Sequence, residues 1–372
     1  MIHVVLQGRG NLFSKPGGDT TQMVNLKQGL NREGMSARIR TELGPDLTSC
    51  QVVHLFNITR VHDTYLQMVN AKAQGKPVIC TPIFHDLEEY NRWGRWGAGK
   101  MAFRLIRNDR IFEYVRGIHN ALRDRREIRP VAVQLGMGYR VQQAAVLKYA
   151  DQLLFGSLSE KRRLQGRFAE IQSVNRGEIV KLGVPLDPRD FDPAPFEARY
   201  GLKDFVLCVG RIEDLKNQWS LLEAMAGFEV PIVLIGPLNR AHMGYGRKVL
   251  REISRTDHAH YLGAMGGPML RSAFAAAKVH VLPSWFETAG LASLEAGLAG
   301  CNVVSTNRGY ARDYLEDFAW YCDPSEVRSI RKAVGDALSS PRSFRLQRHI
   351  QENLRQEDSV RRIARIYHGV LS

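Results

Sequence analysis

The 372-residue sequence predicts an α/β protein made of two units, each built on a mostly parallel sheet. Three observations lead there. Short apolar runs at 3–6, 52–56, 78–81, 152–155, 205–209, 232–235, 279–282 and 303–305 alternate with amphipathic stretches such as 21–32 and 220–226. The segment 279–304, VHVLPSWFETAGLASLEAGLAGCNVV, reads as strand, turn, helix and strand, the crossover that parallel strands require. The chain is also too long for one ordinary core, and the stretch GVPLDPRDFDPAP at 183–195, with its four prolines, marks the best boundary.

In chain order, the strand at 3–6 runs into GRGNLFSKPGGDTTQ. Gly8 and Gly10 begin a dinucleotide-binding fingerprint, but Phe13 stands where its third glycine belongs. Gly17 and Gly18 carry more information. They precede Asp19, Thr20, Thr21 and an amphipathic helix, so backbone can approach a ligand beside free helix N–H groups. The plainer reading is a glycine turn before a capped helix. The strand at 78–81 delivers His85 and Asp86, a pairing more often structural than catalytic.

Residues 92–129 hold eleven Arg or Lys against four Asp or Glu, with Trp93 and Trp96 at the start. Phe103, Leu105, Ile106, Phe112, Val115, Ile118 and Leu122 recur at near-helical spacing. We expect this apolar stripe to pack on the sheet and the cationic edge to suit an anionic membrane surface. In the second unit, the strand at 205–209 leads to Gly210, Arg211 and Lys216. A planar guanidinium fork and a compact ammonium both suit phosphate, although solvated cations are common in so basic a chain.

The strand at 279–282 leads to a turn carrying Glu287 and Gly290, then to a helix starting near Leu291 and carrying Glu295. Such turns lie beyond the carboxyl ends of parallel strands, where ligands bind. The helix start offers N–H donors to phosphate, and ionised carboxylates accept hydrogen bonds from hydroxyls. A nucleotide-sugar supplies both partners. The bland alternative is a capping box formed by Ser284 and Glu287, with Glu295 a solvated helix residue.

Bulk properties narrow the class. The formal net charge of +14 calls for an anionic partner. Five cysteines without C-x-x-C spacing read as buried free thiols of a reducing compartment. No apolar run approaches a membrane span, and the N-terminus MIHVVLQGRG does not read as a signal peptide. The D-x-D at Asp190 and Asp192 lies in the proline-rich linker, and His258 and His260 have no third ligand close in sequence. No metal site is expected.

The string FETAGLASLEAGLAG resembles the signature of retaining family 4 glycosyltransferases (glycosyltransferases group 1), in which E-G-F-G-L leads to L-E-A-M-A-x-G. The spacing is intact at Glu287 and Glu295, and Gly290, Leu291, Leu294, Ala296, Ala299 and Gly300 fall in place. Thr288 and Ala289 depart from the usual Gly-Phe. Val209, Gly210, Arg211, Lys216 and Asn217 match the family's V-G-R-x-x-x-x-K-N, and PVICTPIFHD resembles P-V-V-x-T-x-H-D. Pro16, Gly17 and Gly18 resemble its P-x-G-G loop. At 306–313, TNRGYARD keeps Gly309 of the G-G-x-x-E loop but has Tyr310 and Asp313 in place of the second glycine and the glutamate.

The resemblance implies the GT-B fold: two Rossmann-like domains facing a cleft, at 1–182 and 196–357 around the linker 183–195, with a terminal helix at 358–372 crossing back to the first. It implies a retaining, metal-independent hexosyltransferase with no cofactor beyond a nucleotide-diphosphate sugar as donor. Arg211 and Lys216 would bind the diphosphate, Glu287 the sugar hydroxyls and Glu295 the ribose. Gly210, Gly290 and Leu291 would line the donor site, His85 the sugar pocket, and Gly17 and Gly18 the side facing phosphates and acceptor. The expected acceptor is a glycan or a lipid-linked sugar in bacterial cell-surface polysaccharide or glycolipid synthesis. The expected location is cytoplasmic and peripheral to the inner face of the membrane. Nucleic acid is not an expected partner. The competing readings are a basic non-enzymatic scaffold that kept the fold and a sugar-nucleotide epimerase of the same fold.

Overall fold

The computed structural model describes residues 1–172 and 177–371, without the side chains of Asp109, Arg110 and Asn120. The chain divides into two compact units. The first comprises Met1–His85, Ile106–Pro185 and Gln356–Ser372, and the second Asp86–Leu105 and Leu186–Arg355.

The first unit holds the strands β1 (His3–Gln7), β2 (Ser36–Arg40), β3 (Val52–Phe56), β4 (Val78–Thr81), β5 (Gln152–Phe155) and β6 (Gly177–Ile179). They form one parallel sheet in the order β2-β1-β3-β4-β5-β6. The inner strands are apolar throughout because both faces are covered. Val4, Leu6, Val52 and Phe56 join one core with Met23, Leu26 and Leu30 of the helix Gly18–Arg32. Val5, Val53, Leu55 and Cys80 join the other with Val61 and Met68 of the helix Val61–Ala73. The helix Gln356–Gly369 closes the first of these cores through Val360, Ala364, Ile366 and Tyr367. Gly29 leaves room for it, since a Cβ there would lie 2.5 Å from Val360 Cγ2.

The second unit holds β7 (Val206–Val209), β8 (Ile232–Ile235), β9 (Ala259–Tyr261), β10 (Val279–Leu282), β11 (Asn302–Thr306) and β12 (Trp320–Cys322). Their order is β12-β11-β10-β7-β8-β9, again all parallel. Counted within the unit, this is the doubly wound Rossmann order, whose topological switch point lies between β7 and β10. All five cysteines are buried and unpaired. Among the described residues, no helix is long and apolar enough to cross a membrane.

The stretch expected as one amphipathic helix is broken. A π-helical turn (Tyr90–Gly94) precedes the helices Ala98–Ile106 and Asp109–Arg123, with positive φ at Gly97 and Arg107 at the breaks. Its apolar stripe also does not pack as expected. Phe103 and Phe112 are buried, whereas Leu105 and Leu122 are 86% and 84% exposed. Residues 86–105 associate with the second unit although they lie within the stretch read as the first domain. The Tyr90 hydroxyl donates to Asp214 Oδ1 at 2.7 Å and the Trp96 amide to Asp214 Oδ2 at 2.9 Å. Arg308 grips Glu89 through two bonds of 2.7 and 2.8 Å.

Candidate functional site

In the second unit, the turns leaving β7 and β10 lie side by side at the switch point. The Trp285 amide donates to the Leu215 carbonyl at 2.9 Å, tying one turn to the other. This tie brings Lys216 to Glu287, with Nζ 2.5 Å from Oε1 and both side chains largely buried. The stem of Lys216 runs past Gly210, where a Cβ would stand 3.7 Å from Lys216 Cδ. Arg211 is more open and lies 3.1 Å from Glu213 Oε1. Glu213 is held in turn by Asn239, and the Arg211 carbonyl accepts from Gln218 Nε2 at 2.8 Å.

Two glycines outside the expected set shape these turns. Gly309 has φ +91°, and a Cβ there would lie 2.0 Å from the Glu287 carbonyl oxygen. The Tyr310 amide donates to that same oxygen at 2.7 Å. Gly236, with φ +149°, presses on the Gly210 carbonyl in the same way, also at 2.0 Å. Only glycine permits either approach. Gly236 directly follows an apolar strand, and that position is the sequence signal by which it was findable.

Gly290 is the left-handed N-cap of the helix Leu291–Leu298, and its carbonyl accepts from Ser293 and Leu294. The capping box of Ser284 and Glu287 does not form. The Ser284 hydroxyl is buried without a partner, and Glu287 bridges to Gly309 before the helix begins. Glu295, in the second turn of this helix, has no hydrogen-bond or ion-pair partner among the described residues. Burial pushes its carboxyl up to about 7, and Arg271 only partly opposes the shift. A carboxylate desolvated without a donor is ready for hydroxyl partners. Asp190 and Asp192 instead accept from the backbone amides of Asp187 and Ala194.

The remaining expected residues lie in the first unit. His85 follows β4 and the left-handed Ile83, at φ +43°. Its Nδ1 is 3.2 Å from the Ile83 carbonyl, and its amide donates to Thr59 Oγ1 at 2.8 Å. Gly17 is the N-cap of the helix Gly18–Arg32, with an extended backbone that any residue adopts. A Cβ at Gly18 would meet nothing within 4 Å. Gly18 is therefore not demanded by the local fold, whereas a Cβ at Gly17 would crowd Asp19 Oδ1 at 3.1 Å. Arg9 and Asp19 pair beside them at 2.7 Å. Burial raises the Asp19 carboxyl, but the Arg9 hydrogen bond and charge outweigh it and hold the group below its usual range.

Residues 194–357 match the family model of glycosyl transferases group 1. The O-antigen chain mannosyltransferase B of Escherichia coli is 28% identical over 49% of this chain and 44% of its own length. A D-inositol 3-phosphate glycosyltransferase of Mycolicibacterium paratuberculosis is 31% identical over 45% of this chain and 40% of its own. The chain thus spans under half the length of these two relatives. Sucrose-phosphate synthase from Thermosynechococcus elongatus matches in structure over 100% of this chain and 99% of its own, with TM-score 0.76 and 16% identity. Anabaena HepE in complex with UDP-glucose matches over 99% and 100%, with TM-score 0.68 and 13% identity. Over 194–357 the chain is similar to glycosyl transferases group 1, and its two Rossmann-like units are those of the GT-B fold.

Proposed function

We propose that the protein is a retaining, metal-independent glycosyltransferase. It moves a sugar from a nucleoside-diphosphate sugar to a glycan or lipid-linked acceptor in bacterial cell-surface polysaccharide or glycolipid synthesis. The observation that carries this reading is the pairing of Lys216 with Glu287 at the switch point between β7 and β10, with the more open Arg211 on the same turn as Lys216. The name of the E. coli relative and the UDP-glucose held by the Anabaena structure support the same donor and acceptor classes.

In this reading, the Arg211 guanidinium, the Lys216 ammonium and the start of the helix Leu291–Leu298 neutralise charge as the bond between the sugar anomeric carbon and the diphosphate oxygen breaks. Glu287 holds sugar hydroxyls and Glu295 the ribose. His85 contacts the donor sugar. The departing phosphate oxygen takes the proton of the acceptor hydroxyl, whose oxygen bonds to the anomeric carbon on the face the diphosphate leaves. Neither a protein nucleophile nor a resident cofactor is needed. The cationic edge at Arg92, Arg95 and Lys100 meets an anionic membrane surface at the inner face of the cytoplasmic membrane.

The test is a thermal-shift screen against UDP-, GDP-, ADP- and dTDP-sugars, followed by transfer and hydrolysis assays. One donor class should raise the melting temperature with concentration, because a ligand of the native state stabilises it by mass action. That donor should be turned over in the presence of EDTA. No shift with any donor would overturn the proposal, and activity restored after EDTA only by Mn²⁺ or Mg²⁺ would overturn its metal-independence.

A further inference from the structure

The first unit has a switch point of its own, between β1 and β3, where the sheet order turns from β2-β1 to β3-β4. Directly after β3, the helix Val61–Ala73 begins with Arg60 at its N-cap. Arg60, His62 and Arg116 line a pocket there with Thr59, Glu127 and Tyr139. Its lining sets these two arginines against two glutamates, Glu113 and Glu127. Arg116 pairs with Glu113. His62 Nε2 lies 2.9 Å from Glu127 Oε2. The Arg60 guanidinium has no hydrogen-bond or ion-pair partner among the described residues, and its side chain does not cap the helix.

Three acids act on Arg60 electrostatically, Glu127, Asp19 and Asp63, but none bonds to it: they are held by His62, by Arg9 and by the Gly10 amide. Burial, with Arg116 and Arg9 adding like charge, pushes the Arg60 guanidinium down to about 10. A partly buried guanidinium whose donors are left without acceptors costs stability unless a ligand supplies them. The donors on hand match an oxyanion: a planar guanidinium fork, the orphan N–H groups of a helix start, and the Tyr139 hydroxyl, now spent on the Thr59 carbonyl at 2.8 Å. Thr59 also accepts from the His85 amide, so the pocket adjoins the residue assigned to the donor sugar.

The geometry points to an anion-binding subsite at Arg60 that takes the phosphate or carboxylate of the acceptor, so that the acceptor is an anionic sugar or polyol rather than a neutral one. The inference rests on the glycosyltransferase reading for the word acceptor, and on the pocket alone for the anion.

The test is calorimetry on the full chain with four probes: inorganic phosphate, glucose 6-phosphate, glucuronate and glucose. Each is titrated into the unaltered protein and into Arg60→Ala, Arg60→Lys and Lys216→Ala. Glucose 6-phosphate or glucuronate should bind at least about tenfold more tightly than glucose, as expected for a charge-assisted contact. Which of the two binds separates a phosphate from a carboxylate acceptor. Arg60→Ala should remove that preference, Arg60→Lys should keep part of it, and Lys216→Ala should leave it intact. Arg60→Ala should also melt no lower than the unaltered protein, since it removes a partly buried cation whose donors have no acceptor. A purely structural arginine would instead lower the melting temperature. Anionic sugars binding no better than glucose, or equally well to Arg60→Ala, would overturn the inference while leaving donor binding at Lys216 untouched. Anion binding at Arg60 in a protein that shifts with no nucleotide-sugar would keep the pocket and sink the enzymatic reading.

Discussion

Lys216 and Glu287, 71 positions apart in the chain, meet as an ion pair of 2.5 Å between Nζ and Oε1. The pair sits where two parallel strands of opposite crossover direction end, the place proposed for the donor diphosphate. Removing either cation of the site should weaken nucleotide-diphosphate binding. We expect at least about a tenfold loss for Lys216→Ala and for Arg211→Ala, since a charge-assisted hydrogen bond is worth roughly 1.5–3 kcal/mol. The free nucleoside should bind as before. Glu287→Gln should keep nucleotide affinity while turnover falls, because its proposed contact is with the sugar. Calorimetry and steady-state kinetics separate these outcomes.

If Glu295 holds the ribose as proposed, donor binding should depend on pH. Its carboxyl is raised by burial to about 7 in the folded protein from 4.5, so it is largely protonated at pH 6. Accepting ribose hydroxyls favours the ionised form. Donor affinity should therefore rise as pH increases through about 7, and Glu295→Gln should flatten that dependence. Stability runs the other way. A carboxyl with a raised folded pKa stabilises the fold at low pH and loses that contribution between 4.5 and 7. Glu160, raised by burial to about 7, acts with the same sign. So does His242, for which the hydrogen bond and charge of Asp214 outweigh the lowering effect of burial. His54 and His280, lowered by burial to about 3, act with the opposite sign up to about pH 6.5, so the melting temperature should fall between pH 6.5 and 7.5.

Asp214 anchors the segment 86–105 to the second unit. Its oxygens accept from the Tyr90 hydroxyl and the Trp96 amide, and His242 Nδ1 lies 2.8 Å away. Tyr90→Phe should cost about 1 kcal/mol, the worth of one ordinary hydrogen bond. Asp214→Ala should cost about 3 kcal/mol by leaving buried donors unpaired, and should expose Arg92 and Arg95 to trypsin. Urea unfolding and limited proteolysis measure both.

Glycine substitutions distinguish shape from ligand contact. Gly309→Ala and Gly236→Ala drive a Cβ into backbone at 2.0 Å and should lower both stability and donor affinity. Gly18→Ala meets open space. It should fold as well as the unaltered chain, so a drop in its transfer rate would locate a ligand against that loop. An unchanged rate would remove Gly18 from the site.

Membrane contact is testable by co-sedimentation with anionic and neutral vesicles. Binding to anionic vesicles should weaken in high salt and on charge reversal at Arg92, Arg95 and Lys100, each worth on the order of 1 kcal/mol near the surface. Trp93, 68% exposed, is the clean anchor to replace. Trp96→Ala should bind less and also melt lower, because Trp96 packs on Tyr245. Equal sedimentation with neutral lipid would end the membrane proposal.

The sequence alone determined the interior of both sheets and placed the candidate site residues on the turns that follow β7 and β10. Every strand legible in it, β1, β3, β4, β5, β7, β8, β10 and β11, is an inner strand, covered on both faces and therefore an unbroken apolar run. The four strands it did not reveal, β2, β6, β9 and β12, are the four sheet edges. Ser-Ala-Arg-Ile-Arg or Gly-Glu-Ile carries no such run, because an edge strand is half solvated and held by its neighbour's backbone. Arg211, Lys216, Glu287 and Glu295 were readable because each follows an inner strand at a spacing that the turn and helix dictate. Only the tertiary structure decided which cations would be paired. The pairing of Lys216 with Glu287 and the lack of a partner for the Arg60 guanidinium among the described residues depend on which strand ends become neighbours. Strand order is set by packing between segments far apart in the chain, which local spacing does not encode.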